Sequence, residues 1–111
     1  MGNFVIKQAT HGEYYFDLIE DNPMIILTSQ LYSSKSSCFN GIDLVRNSSY
    51  SDGFERKQTL NNNFYFVLKT SDGQIIGNSG LYASQTGMEN GIESIKKNID
   101  KIKVVEEEPL L

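Results

Sequence analysis

Few residues in this chain could carry chemistry, and they are scattered. His11 is the single histidine and Cys38 the single cysteine. A general base needs a partner within reach. His11 stands in the turn-forming run Thr10-His11-Gly12-Glu13 and reads as an exposed turn residue. Cys38 could be a nucleophile or a redox thiol, but it falls on an apolar helical stripe. It reads instead as a small buried hydrophobe. One His and one Cys do not make an ordinary zinc site, which takes four protein ligands or three and a water. Glu20-Asp21-Asn22 brings oxygen ligands together, but the calcium-loop pattern is absent, so neither a metal nor another cofactor is expected. Gly77-Asn78-Ser79-Gly80 precedes a helix without the Lys or the spacing of a phosphate loop, and reads as a strand end.

Two sets of residues are more informative because they recur at matched positions. Tyr15 and Tyr65 fall on the wetter face of predicted strands, beside Val67 and Lys69; Lys7 and Lys57 share that face by alternation. Aromatic side chains on an open sheet can stack bases or anchor a protein. They can also simply shield the sheet through cross-strand packing. Asn40 and Asn90 form a second symmetric pair, near Tyr32 and Tyr82. They could hold a ligand. The structural alternative is an Asn that bonds the backbone of the neighbouring unit, with the Tyr over the helix start.

The matching reflects an internal duplication. Leu31-Tyr32-Ser33-Ser34 returns as Leu81-Tyr82-Ala83-Ser84, and Asn40-Gly41-Ile42 as Asn90-Gly91-Ile92, at an offset of 81 − 31 = 50 without a gap. Phe4 matches Phe54, Tyr15-Phe16 matches Tyr65-Phe66, and Ile25-Ile26 matches Ile75-Ile76. One further step takes Phe54 to Val104, the start of a truncated third unit.

At 111 residues the chain is one domain by size. A net charge of −4 disfavours loose binding to nucleic acid or an anionic membrane. No apolar run is long enough to span a membrane, and no apolar leader is evident. With one cysteine, a reducing cytoplasm is the expected location.

Each copy reads as three strands and a helix. Strands are expected at Phe4–Gln8, Tyr14–Ile19 and Met24–Ser29, and again at Phe54–Gln58, Phe64–Lys69 and Gln74–Ser79. Phe16 and Leu18, with Phe66 and Leu68, should face the core; Asp17 and Lys69 mark the wetter side. Adjacent Ile residues leave the inward face of the third strands open. Ser34 and Ser84 are natural N-caps. The stripes Cys38, Ile42, Val45 and Met88, Ile92, Ile95, Ile99 follow at helical spacing. Asn47 to Gly53 should end the first helix. Gly41 and Gly91 on both stripes predict a helix backbone pressed closely on the sheet. A last strand is expected at Ile102–Val105, before an acidic frayed tail over 106–111.

Tyr-x-Ser followed by Asn-Gly-Ile on a helix, in tandem β-β-β-α units, resembles the YegP-like family of small bacterial proteins. The residues are Tyr32, Ser34, Asn40, Gly41, Ile42 and Tyr82, Ser84, Asn90, Gly91, Ile92, Glu93. The first copy departs at Phe39, where the second has Glu89, and at Asp43, where it has Glu93. The resemblance implies an α+β fold: two tandem β(3)-α-β units in a single mainly antiparallel sheet, with exchanged C-terminal strands and both helices on one face. A lone strand after the second helix agrees with that exchange. The domain would span 1–105, with repeats at about 4–53 and 54–105. No catalytic residues and no cofactor come with the resemblance, whose function is unknown. The expected role is a non-enzymatic binding or interaction module using the open sheet face toward a protein partner. Nucleic-acid binding through the exposed Tyr and Lys residues is the alternative, and a small-molecule enzyme a distant second. A monomer is expected, because the duplication supplies the pairing a single unit lacks.

Overall fold

The structure, a computed structural model, describes residues 2–20 and 24–107. The chain runs β1 (Asn3–Gln8), β2 (Tyr14–Ile19), β3 (Ile25–Ser29), α1 (Lys35–Tyr50), β4 (Phe54–Gln58), β5 (Phe64–Lys69), β6 (Ile75–Asn78), α2 (Gln85–Asn98), a 3-10 turn (Ile99–Lys101) and β7 (Lys103–Glu106). The seven strands form one sheet in the order β4-β5-β6-β3-β2-β1-β7. Every pairing is antiparallel except β1 with β7.

Thr28 of β3 pairs with Asn78 of β6, its own counterpart 50 residues on. A residue can face its repeat counterpart only near the axis that relates the copies, so that axis passes through the middle of the sheet. Tyr50 at the end of α1 donates to the carboxylate of Asp100, again its counterpart.

Local chemistry explains the elements. Ser34 and Ser84 each accept an orphan N–H of the first helical turn, from Ser37 at 3.1 Å and Gly87 at 3.0 Å. Gly12 and Asn62, matched positions in the first hairpin of each copy, both take positive φ, +85° and +63°. Asn tolerates that region where most side chains do not. The expected helical stripes and Phe4, Ile6, Phe16, Leu18, Phe54, Phe66 and Leu68 join in one buried cluster. Ile26 and Ile76 face inward, while Ile25 and Ile75 stay exposed; a register shift beside each admits the extra residue.

Several expectations need correction. The end of α1 is not among them: Asn47–Tyr50 form its last turn, where Ser48 and Ser49 are buried and the Ser49 hydroxyl donates to the Val45 carbonyl at 2.7 Å. Glu106 and Glu107 are not tail. Glu106 lies in β7, and the Glu107 N–H donates to the Ile6 carbonyl at 2.9 Å. Positions 108–111, and Asp21 and Asn22 of the run of oxygen ligands, lie outside the described residues. The closest approach at Gly41 and Gly91 is to the rings of Tyr32 and Tyr82; at Gly41 the sheet contributes as well, through Phe16 of β2 at 3.1 Å. A matched pair that the sequence shows but gives no role is Ser29 and Ser79. Each is buried, accepts from the N–H of Phe16 or Phe66 at 2.9 Å, and donates to the next carbonyl at 2.8 Å. Each replaces a missing ladder bond of β2 or β5. Ser29→Ala or Ser79→Ala is expected to cost about 1–3 kcal/mol by leaving a buried N–H without a partner. Chemical denaturation checks this, and an unchanged midpoint would show that the N–H finds another acceptor.

Candidate functional site: the open sheet face

The candidate face is the side of the sheet away from the core cluster. Register places a row straight across it: Val5, Asp17, Thr28, Asn78, Val67 and Glu55, one residue per strand from β1 to β4. Its second and fifth members are less accessible than alternation predicts. Asp17 is 3% exposed and Val67 7%. The reason at Asp17 is local pairing: Lys7 Nζ lies 2.9 Å from one carboxylate oxygen and the Thr28 hydroxyl donates to the other at 2.7 Å. That hydrogen bond holds the Lys7 ammonium above its ordinary pKa, against the opposing effect of burial.

Tyr15 and Tyr65 are half-buried on this face, opposite Lys7 and Lys57. They are not neighbours. Three strand spacings separate β2 from β5, and the tyrosines lie two residues off the central row in opposite directions. At about 4.8 Å per strand and 3.3 Å per residue the separation is roughly 20 Å. The pair cannot clamp one base or one small ring.

The halves of the face differ. Around β4 and β5 it is ionic: Glu55 pairs with Lys57 at 3.3 Å and with Lys69, and these two lysines hold its carboxyl below the usual range. Around β1, β2 and β7 apolar side chains surround the single Lys7–Asp17 pair. Val105 lies beside Val5, and Ile19 beside Ile25, with Tyr15 flanking. Ile25 and Val105 are 46% and 44% exposed.

Asn40 and Asn90 are exposed on the helices and, among the described residues, neither side chain makes a hydrogen bond; the expected bond to the neighbouring unit is not formed. Asn90 borders a shallow hollow with Glu93, Ser94 and Lys97. A larger hollow of about 620 Å³ opens where β7 runs beside β1, lined by Lys7, Tyr14, Lys35, Glu106 and Glu107. Its charges are largely matched, with Lys35 3.0 Å from Glu106. His11 is exposed at its turn. Among the described residues no cluster of three His, Cys or acidic side chains could hold a metal.

Cys38 is buried, and burial pushes its thiol up to about 11. A neutral thiol is then preferred in the native state, so its stabilising contribution is complete below the ordinary thiol pKa near 9. It is lost as pH rises from 9 through about 11. At pH 8 the native chain is expected to resist alkylation by iodoacetamide and to react only on unfolding. Rapid native-state alkylation would overturn the buried placement.

A twice-repeated three-strand, one-helix unit with N-capped helices, fused into one sheet, defines the class of protein. The match to known families agrees with it. The family described as "Domain of unknown function (DUF1508)" matches twice, over residues 9–54 and 60–106, and the chain belongs to that family. Among relatives, it is similar to the UPF0339 protein YegP of Yersinia pestis, 45% identical over 49 residues that make up 44% of each chain. A UPF0339 protein of Pseudomonas aeruginosa is 47% identical over 50 residues, 45% of this chain and 46% of that one. These matched segments span about half the length of the curated relatives. Two solution NMR structures cover more. That of yegP from E. coli, a protein of unknown function, superposes with a TM-score of 0.86 at 39% identity, covering 95% of this chain and 91% of the other. A UPF0339 protein from Shewanella oneidensis gives 0.87 at 32%, covering 95% and 90%. The function of the family is unknown, and no enzymatic activity is indicated by these likenesses.

Proposed function

We propose that the chain is a non-enzymatic interaction module that docks another protein on its open sheet face. We read the 1–105 span as one duplicated domain in which the units exchange C-terminal strands. On this reading both helices cover one sheet face and leave the other free. The observation that carries the docking reading is the apolar half of that face, where Val5, Tyr15, Ile19, Ile25 and Val105 are adjacent by register and two of them are largely exposed. A buried aromatic or aliphatic anchor surrounded by polar residues is the usual centre of a protein interface.

The same face argues against nucleic acid. Lys7 is matched by Asp17, and Lys57 and Lys69 by Glu55, so none of the three is free to neutralise a phosphate. The tyrosines are too far apart to form one stacking platform. We place the chain in the cytoplasm as a monomer; among the described residues no helix is long and apolar enough to cross a membrane.

The test compares three baits in a bacterial lysate: the parent, Tyr15→Ser with Tyr65→Ser, and Ile25→Asp. Circular dichroism first establishes that the variants are folded. A protein held by the parent and lost from both variants supports docking on the face. Retention by Ile25→Asp removes the apolar half from the site. Nucleic acid retained by the parent, with steep salt dependence, would replace the protein reading.

A further inference from the structure

Strands β1 and β4 occupy matched positions, yet among the described residues only β1 has a neighbour on its outer edge. There β7 lies parallel, with Phe4 beside Val104, Val5 beside Val105 and Ile6 beside Glu106. The outward groups of β1 include the Ile6 carbonyl, which accepts from Glu107. On β4 the matched outward groups belong to Phe54 and Arg56. The partner of Arg56 across the ladder is Phe66, whose N–H is taken by the Ser79 hydroxyl, so it does not turn toward β4. Among the described residues no strand covers this edge. The Phe54 carbonyl there is met by the Arg56 side chain at 3.4 Å, a long bond from an exposed guanidinium.

Two substitutions between the copies record the difference. Ile6, buried beside β7, corresponds to exposed Arg56; Phe39 corresponds to Glu89, which binds Arg56 at 2.9 Å. The edge therefore has the backbone geometry that receives β7 on the other side of the sheet, with Arg56 in the place of Ile6. A strand laid along β4 as β7 lies along β1 would set its fourth residue opposite Arg56 and its fifth beside Lys57. On the β1 edge those residues are Glu106, the last of β7, and Glu107 just after it. Antiparallel pairing of two β4 strands about their centres would instead set Arg56 against Arg56, which like charge disfavours.

We propose that the outer edge of β4 accepts an extended acidic segment of a partner protein, added in parallel as an eighth strand. The segment carries two branched apolar residues followed by carboxylates. Main-chain hydrogen bonds would supply the affinity, and exchange of Arg56 from its exposed partners Glu89 and Asp52 to an incoming carboxylate the choice of sequence and direction. This surface is separate from the open face, and its test reads different residues.

The probe is a synthetic peptide with the sequence of residues 102–108, titrated into the full, isotopically labelled chain and followed by amide NMR. Saturable shifts and slowed amide exchange confined to Phe54–Gln58 are expected. Replacing the peptide's glutamates by lysine is expected to weaken binding by at least about tenfold, and N-methylation of its alternate amides to abolish it. Because the protein is unchanged in these arms, no misfolded variant can imitate the result. Absence of saturable shifts at millimolar peptide would overturn the proposal. So would shifts along Asn3–Gln8, which mean displacement of β7, or shifts confined to Tyr15 and Ile25, which belong to the open face. Shifts at Phe54–Gln58 on concentrating the chain alone would assign the edge to a second copy and overturn the partner reading.

Discussion

A chain that ends after Asn98 is expected not to fold, whereas one that ends after Ile102 is expected to fold with reduced stability. The difference lies in what each cut removes. Ile99 and Ile102 are 1% and 5% exposed within the core cluster. Losing a buried Ile costs about 2–5 kcal/mol through lost transfer energy and the cavity left behind. Arg46 adds to this. Its guanidinium sits 5.3 Å from the centre of the Phe4 ring and donates to the carbonyls of Ile99 at 2.7 Å and Ile102 at 3.0 Å. Cutting after Asn98 therefore empties two core sites and strands a half-buried cation. Against a typical total of about 5–15 kcal/mol, little stability would remain.

Ending after Ile102 keeps both isoleucines and both carbonyls. What is lost is β7, whose four residues are all exposed. Its contribution is the parallel ladder along β1 and the cover over the outer edge beside Phe4 and Ile6. Net hydrogen bonds of about 0.5–1.5 kcal/mol each put the loss at about 2–4 kcal/mol. Urea denaturation of the two truncations and the parent checks both statements. One cooperative transition at a lower midpoint is expected for the longer truncation, because β7 of the second copy is paired to β1 of the first. An unchanged midpoint would mean that β7 contributes nothing to the sheet.

How legible these features were depends on how local their physics is. The exact 50-residue repeat made the two strand triplets, the two Ser caps and the two helical stripes readable, since each depends on spacing within a few residues. Cys38 and Met88 occupy the same core position, so the reading of Cys38 as a hydrophobe needed no structure. The burial of Asp17 was not readable. It depends on Lys7 and Thr28, residues ten or more positions away that become neighbours only through β1 and β3. For the same reason the three lysines of the face looked free in the sequence and are paired in the fold. Ser29 and Ser79 were visible as a match but not as a function, because a hydroxyl that replaces a ladder bond is recognised only once the register shift beside it is known. The asymmetry between Ile6 and Arg56 was also present in the sequence. It gains meaning only when β7 is seen on one edge and no described strand on the other.

Gly41→Ala is expected to destabilise the protein even though alanine is the better helix former. A methyl group on Gly41 would fall on the Tyr32 hydroxyl oxygen, 2.6 Å from Cζ of that ring and 3.1 Å from Cε2 of Phe16. The ring has little freedom to retreat. It stacks on Phe16 with centroids 6.2 Å apart and planes within 13°, and Tyr32 exchanges two backbone hydrogen bonds of 2.7 Å with Tyr14. Overpacking costs about 1–3 kcal/mol, and the helix gains about 0.5–1 kcal/mol on replacing Gly by Ala. The difference spans about 0–2.5 kcal/mol, and the confined ring sets this site toward its upper end. Gly91 is the milder site. Its methyl would meet the Tyr82 hydroxyl oxygen, but Cζ stands 3.0 Å away and the three nearest atoms all belong to Tyr82. Removing the hydroxyl should therefore separate the two copies. Tyr82→Phe is expected to rescue most of the loss in Gly91→Ala, while Tyr32→Phe rescues only part of the loss in Gly41→Ala, where the ring carbon and Phe16 still obstruct. Double-mutant cycles by chemical denaturation measure both couplings. A higher melting temperature for either single alanine variant would show that the rings move aside freely, and would remove the steric reason for glycine at these two positions.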